Sequence, residues 1–341
     1  MADDLSVVIP AYNAAPWLEP TVGHIEVALR EAGVAPQDAD LIIVNDGSTD
    51  ETSGAARALT CAYRVIVVDQ PNSGRFLARK AGVLASGKDN VLFIDSRVFL
   101  HPSSLAFVRQ QQAEDPSKVI WNGHVIVEKK GNVIARFGDA ITFIGWRRYF
   151  AHPRTCSYGP EDFDHYPKGT TCFFTPRSAL IQAVQEFEQQ THDIRSSSDD
   201  THLIRIIARD HRINLSPGFS CTYHARTKFS QFIQHCNHRG HVFVDGFLRP
   251  GNRFFVPLIF FLIISALLMV GAVAAIIFYP LALLVALGAG VALWLLEFLV
   301  ALMLGVGIKD AASLFALTPL FTACYGIGIW QAVIRRAVKA R

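Results

Sequence analysis

The sequence predicts an α/β protein in two parts: a Rossmann-like, mostly parallel sheet with helices on both faces, followed by C-terminal transmembrane helices. Three observations carry this prediction. Short β-branched runs alternate with helical patterns from Leu5 to Ile94. Each run ends on polar residues. Further along, Glu297 is the only formal charge between Phe254 and Ile308, and Ala311–Ile334 has none.

Taken in order, Leu5–Ile9 is a strand stopped at Pro10, and Trp17–Arg30 has apolar residues at helical spacing with Glu19 early. Leu41–Val44 is a second strand, ended by Asn45-Asp46-Gly47-Ser48, and Glu51–Leu59 forms a short helix. Arg64–Val68 is a third strand, Gly74–Ala85 a third helix, and Val91–Ile94 a fourth strand halted by Asp95. Right-handed crossovers between such strands set their C-terminal ends on one edge, where ligands bind. Asn13, Asp46, Asp69 and Asp95 all fall there.

Beyond this point the pattern is looser. Val119–Val127 and Val133–Phe137 flank Lys129-Lys130-Gly131-Asn132 and read as a hairpin. Trp146–Lys168, rich in aromatics, His and Pro, has no clear period and reads as a substrate-binding segment. Ser178–Glu188 and Thr201–Arg209 are helical, and Phe229–Phe243 is an amphipathic helix carrying Gln234, His235, His238 and Arg239.

Composition excludes several classes. At 341 residues, 51% hydrophobic and 18% charged, the chain is too apolar for a disordered segment or an ordinary soluble enzyme. A net charge of +3 is too small for a nucleic-acid binder. The six cysteines form no CxxC pair, so zinc spacing is absent and a reducing, cytosolic setting is the simplest expectation. The acidic start, Met1-Ala2-Asp3-Asp4, is no signal peptide.

Four groups at the strand ends can carry chemistry. Pro10-Ala11-Tyr12-Asn13 follows the first strand. Asn45–Asp50 follows the second, with a carboxylate able to accept from a base or ribose, although such a turn by itself specifies only a turn. Asn72-Ser73-Gly74-Arg75 opens a helix whose free N–H groups suit an anion or a simple cap. Asp95-Ser96-Arg97 follows an apolar strand, where a carboxylate needs exposure or a partner.

The order and spacing of these groups resemble the nucleotide-sugar domain of a family 2 glycosyltransferase with the GT-A fold. The resemblance rests on SVVIPAYNAAPWL (Ser6–Leu18), IIVNDGSTDET (Ile42–Thr52), NSGRFLARKAGVLASG (Asn72–Gly87) and VLFIDSRV (Val91–Val98). It continues through Asp199-Asp200 and His238-Arg239-Gly240, covering about residues 5–250 as a cytosolic catalytic domain. It implies a nucleotide-diphosphate sugar donor, with Pro10, Tyr12 and Asp46 on the nucleoside and Asn13, Asn72, Gly74 and Arg75 beside it. Asp95 matches the first aspartate of the family's Asp-x-Asp motif, which holds a divalent cation, Mg or Mn, on the diphosphate. Arg97 stands at the second aspartate. Either the cation has fewer protein ligands, with His224 a candidate, or Arg97 neutralises the diphosphate itself.

Asp200 and Leu203 match the family's Glu-Asp-x-x-Leu motif, which implies that Asp200 is the base of an inverting transfer, with Asp199 beside it on the acceptor side. A helix-capping carboxylate is the alternative. Gly169-Thr170 resembles the acceptor-side loop. Gln234, His238 and Arg239 resemble the Gln-x-x-Arg-Trp element, with Gly240 in place of the Trp.

Spans at 254–278 and 280–306 are each long enough to cross, and 311–334 is a poorer third. Arg249 and Arg253 before the first span and the basic end at Arg341 both favour the cytoplasm. Two crossings satisfy both, leaving 311–334 interfacial or re-entrant. Glu297 needs a partner or a polar cavity. The expected protein is a multi-pass enzyme of the inner or plasma membrane, moving a sugar to a lipid-linked or growing-glycan acceptor. A polyprenyl-phosphate sugar synthase and a non-catalytic nucleotide-sugar-binding membrane protein are the alternatives.

Overall fold

A computed structural model describes residues 4–190, 199–248, 255–278 and 280–339. Along the chain run β1 (Leu5–Ala11), α1 (Ala15–Glu31), β2 (Ala39–Asp46), α2 (Thr52–Ala58), β3 (Arg64–Gln70), α3 (Arg75–Ala85), β4 (Asn90–Ile94) and β5 (Val98–Leu100). Then come α4 (Ser104–Glu114), β6 (Trp121–Val127), α5 (Val133–Gly145), α6 (Arg147–Phe150), β7 (Cys156–Tyr158), β8 (Cys172–Pro176), α7 (Arg177–Gln190), α8 (Asp199–Asp210) and β9 (Ile213–Tyr223). Four helices close the chain: α9 (Phe229–Phe247), α10 (Phe255–Phe278), α11 (Pro280–Met303) and α12 (Ile308–Lys339). Packing divides these elements into two units, Met1–Glu128 with Trp146–Ala225 and Lys129–Gly145 with Arg226–Arg341. The sequence pattern puts the division at about residue 250. In the structure α5 and α9 instead pack with the apolar helices, because each carries an aromatic face that α12 covers.

The first unit is one sheet in the order β3-β2-β1-β4-β8-β6-β9-β5, with β7 beside β9. β1 to β4 are parallel to one another, as the β-run and helix alternation predicts, and β8 runs antiparallel between β4 and β6. The pleat sends alternate residues to opposite faces. Val7, Ile9, Leu41, Ile43, Leu92 and Ile94 meet Leu18, Val22 and Ile25 of α1 on one side. Val8, Ile42, Val44, Val91 and Phe93 meet Phe76 and Val83 of α3, Leu180 of α7 and Leu203 of α8 on the other. Both faces are covered, which is why these runs are continuously apolar. The order reverses between β1 and β4, so the C-terminal ends of β1, β2 and β4 surround a switch-point crevice.

One expected element is different. Val119–Val127 does give β6, but Val133–Phe137 is the start of a helix and no hairpin forms. The Asn132 side chain accepts from the Ala135 N–H at 3.0 Å and caps α5. The spacing of Ala135, Phe137 and Ala140 then gives that helix its buried face.

In the second unit, Phe137 of α5 packs on Phe232 of α9 and Phe321 of α12, with ring centroids 5.5 and 5.3 Å apart. Asp310, in the first turn of α12, pairs with Lys129 and Arg136, each at 2.8 Å. Pro319 cannot donate to the Phe315 carbonyl one turn earlier. The Trp294 indole N–H of α11 donates there instead at 2.6 Å, and its ring stacks on Phe315 at 4.2 Å. Glu297 finds its partner in Thr318, whose hydroxyl donates to it at 2.7 Å. Among the described residues, three helices are long and apolar enough to cross a membrane. Arg249, Arg253 and Arg341, which the topological expectation uses, lie outside the described residues.

Candidate active site

The site is built on the strand ends of the first unit. Asn13, just past β1, has φ +50, a left-handed conformation Asn tolerates. Its backbone N–H donates to Ser48 Oγ at 3.0 Å, and its side-chain oxygen accepts from the Thr49 N–H at 2.8 Å. Those contacts lace the loop after β1 to the loop after β2. Tyr12 beside it is exposed, and Pro10 lies within the β1–β2 ladder opposite Val44, one residue before the ladder ends at Ala11 opposite Asn45.

Asp46 is buried and fully engaged. Oδ1 accepts from Gln70 Nε2 at 2.7 Å and the Ser73 N–H at 2.8 Å, and Oδ2 accepts from the Gly74 N–H at 2.9 Å. It therefore shapes the loop that leads into α3. Gly47 is required next to it: φ is +65, and an added Cβ would lie 2.4 Å from the Asn72 backbone nitrogen. Asn13, Asp46, Asn72 and Gly74 are thus joined in one scaffold, with Arg75 exposed at the start of α3.

A second group of the predicted residues lies at the end of β4. The Asp95 backbone N–H donates to the Thr171 carbonyl at 3.0 Å, which fixes the turn beside β8. Its Oδ1 accepts from Arg79 Nη2 at 2.9 Å. Arg79 Nη1 donates to Asp200 Oδ1 at 2.7 Å, and Thr170 Oγ1 donates to the same oxygen at 2.5 Å. Asp95, Asp200 and Thr170 are therefore brought together by a residue that the sequence patterns did not single out. Its one signal is position: Arg79 lies one turn after Arg75, on the same side of α3. Burial acts to raise the Asp200 pKa, but the charges of Arg79 and Arg75 and the Thr170 and Arg79 hydrogen bonds outweigh it and hold the carboxyl below its ordinary value.

Gly169 donates its N–H to Asn122 Oδ1 at 3.2 Å, so the 169–170 loop is anchored on buried β6. Arg97 lies with its guanidinium 5.0 Å from the centre of the Trp17 ring, and its carbonyl accepts from the His224 N–H at 2.9 Å. His224 sits under Trp17 and Phe99, at 5.4 and 4.3 Å between ring centres, with Nε2 enclosed and unbonded. Burial lowers its pKa and keeps the imidazole neutral. Among the described residues no group of three His, Cys, Asp or Glu could hold a metal by itself. Asp199 opens α8, and its side chain lies outside the described residues. Gln234, His238 and Arg239 lie exposed on α9, in the second unit.

Residues 6–175 match the family model for glycosyl transferase family 2. Over 119 residues the chain is 32% identical to a validoxylamine A glucosyltransferase of Streptomyces hygroscopicus subsp. limoneus, covering 34% of this chain and 25% of that protein. Over 135 residues it is 30% identical to glycosyltransferase GlyG of Streptococcus pneumoniae serotype 4, covering 39% of this chain and 43% of that one. The chain therefore spans less than half the length of these curated relatives. In fold it is similar to the mannosyltransferase PcManGT from Pyrobaculum calidifontis, solved in complex with GDP-Man and Mn2+. The TM-score is 0.53 at 18% identity, over 91% of this chain and 86% of that one. The sheet is of the GT-A type.

Proposed function

We infer from membership of glycosyl transferase family 2, to which the chain belongs through residues 6–175, that the protein is a membrane-bound inverting glycosyltransferase. It takes its sugar from a nucleotide-diphosphate donor and passes it to a lipid-linked or growing-glycan acceptor at the cytoplasmic membrane face. The observation that carries this reading is the pair of carboxylates, Asp95 and Asp200, within reach of one guanidinium at the switch-point edge. One of them suits the donor and the other the acceptor.

In this reading Pro10, Tyr12 and the loop held by Asp46 border the nucleoside. Asp200 takes the proton of the acceptor hydroxyl as that oxygen attacks the anomeric carbon. The bond from that carbon to the diphosphate breaks, and the leaving oxygen keeps the electron pair. One carboxylate suffices, since no glycosyl-enzyme intermediate forms. A divalent cation fits the partly exposed Asp95, because such ions take one or two carboxylates and fill the remaining positions from phosphates and water. Asp95 would hold it, with His224 the candidate second donor, and it would neutralise charge on the diphosphate. Screening the full-length protein in detergent for binding and turnover of UDP-glucose, UDP-GlcNAc and GDP-mannose tests the reading. Binding without any turnover would favour a non-catalytic binder.

Arg97 belongs to the donor side in this proposal, swinging from Trp17 to the diphosphate, where its planar fork matches phosphate oxygens. Arg97→Ala should lower turnover by about tenfold or more, the scale of one lost charge-assisted contact, and EDTA should leave residual activity. Complete, metal-reversible inhibition together with a fully active Arg97→Ala would make the arginine a bystander.

We also propose two crossings, by α10 and α11. Only 6% of each of their apolar windows is buried within the protein, against 28% for α12, which is covered by α5 and α9. The ion pairs of Asp310 with Lys129 and Arg136 suit an interface better than a bilayer core. A C-terminal fluorescent reporter should report the cytoplasm. A C-terminal phosphatase fusion active only outside it would restore three full spans.

A further inference from the structure

We infer that Arg79 is a positioning residue that couples the donor side of the site to its base, an inference that rests on the reading of Asp200 as that base. The side chain is 4% exposed, and its Cζ lies 6.0 Å from the centre of the Phe93 ring. A guanidinium so enclosed is costly unless charge and hydrogen bonds compensate it. The compensation comes from two elements far apart in the chain. Nη2 reaches Asp95 at the end of β4, and Nη1 reaches Asp200 at the start of α8, residues separated by more than a hundred positions of chain.

The arrangement solves an electrostatic problem that both roles create. Two carboxylates near one another repel, and a guanidinium between them offsets that repulsion. Arg79 supplies this charge from the protein itself, so both side chains are held in place whether or not a donor is bound.

Arginine rather than lysine suits this place. The planar fork holds two nitrogens at a fixed separation, so one residue sets the direction of two carboxylates at once. An ammonium is a point charge and can orient only one of them well. The oxygens used are informative too. Both hydrogen bonds to Asp200, from Arg79 and from Thr170, fall on Oδ1. That leaves Oδ2 to face the acceptor, and the two donors fix the plane of the carboxylate. Arg79 touches neither sugar nor acceptor in this scheme and acts only through the two aspartates.

The test is a double-mutant cycle on the full-length protein in detergent, reading release of nucleoside diphosphate from UDP-GlcNAc, UDP-glucose or GDP-mannose, whichever turns over. Arg79→Lys should lower kcat by about tenfold or more, while the thermal midpoint stays close to wild type, as expected of lost positioning rather than lost folding. In the Asp200→Asn background the same change should cost no more than about twofold, because residues that act as a unit are not additive. Arg79→Gln serves as the second variant should the lysine form not fold. Wild-type turnover in Arg79→Lys, or an equal loss in both backgrounds, overturns the proposal while the base assignment stands. Wild-type turnover in Asp200→Asn overturns the base assignment, and this proposal with it.

Discussion

Asp200→Asn is expected to lower turnover by about 10²-fold or more, the usual contribution of a general base, with donor affinity nearly unchanged. The amide keeps the shape of the side chain and can still accept from Thr170 and Arg79, so folding should survive. What it loses is the ability to take a proton. Asp199→Asn is the control: should it be the dead variant while Asp200→Asn turns over normally, the assignment belongs to the neighbouring residue. The same geometry predicts the pH dependence. A carboxyl held below its ordinary value by Arg79 and Arg75, against the opposing effect of burial, is ionised throughout the neutral range. The acid limb of kcat should therefore fall below the ordinary carboxylate range. Because the folded-state pKa is depressed, the stability that Asp200 contributes is present above that range and is lost as pH falls through it. An acid limb near neutral pH in the wild-type enzyme would mean that another group is the base.

The sheet was legible because its physics is local. A strand buried on both faces needs a continuous apolar run, and Leu5–Ile9, Leu41–Val44 and Val91–Ile94 each show one, stopped by the polar residues that line the edge. In the candidate site, the loop residues that the fold brings together were legible for the same reason. Asn13, Asp46, Asn72 and Gly74 do join into one scaffold, although Asp46 turns its oxygens on Gln70, Ser73 and Gly74.

What stayed hidden depends on long-range contacts. Arg79 lies within a helix whose pattern is ordinary amphipathic spacing, and only the folded chain brings Asp200 to it. The segment after Lys130 offers a turn signal followed by apolar residues, which suits a hairpin as well as a helix. The cap from Asn132 and the aromatic face offered by Phe232 and Phe321 decide for the helix.

Gly240→Trp is expected to abolish the packing of α9 on α12, and Gly240→Ala to damage it severely. The position is notable because the Gln-x-x-Arg-Trp element that this segment resembles has a Trp where this chain has Gly. The structure of the second unit supplies the reason. A Cβ added at Gly240 would lie 2.3 Å from the Tyr325 carbonyl oxygen and 3.0 Å from the Gly328 Cα. On the other side, a Cβ at Gly328 would lie 2.1 Å from the Asn237 carbonyl oxygen. Two helices cross here with backbone against backbone, as small residues permit in apolar surroundings. Asn237 Nδ2, donating to the Cys324 carbonyl and Gln331 Oε1 at 3.4 Å each, adds polar links across the same crossing. The clash is with main chain, which cannot move aside as a flexible side chain would. Overpacking alone costs about 1–3 kcal/mol, and parting two backbones also forfeits the surrounding contacts of Val244, Leu258 and Ile329. Purified Gly240→Ala and Gly328→Ala should each melt well below wild type, and the tryptophan variant should not accumulate as a folded, monodisperse protein. A Gly240→Trp protein with wild-type yield and melting would mean that α9 and α12 do not meet through these glycines.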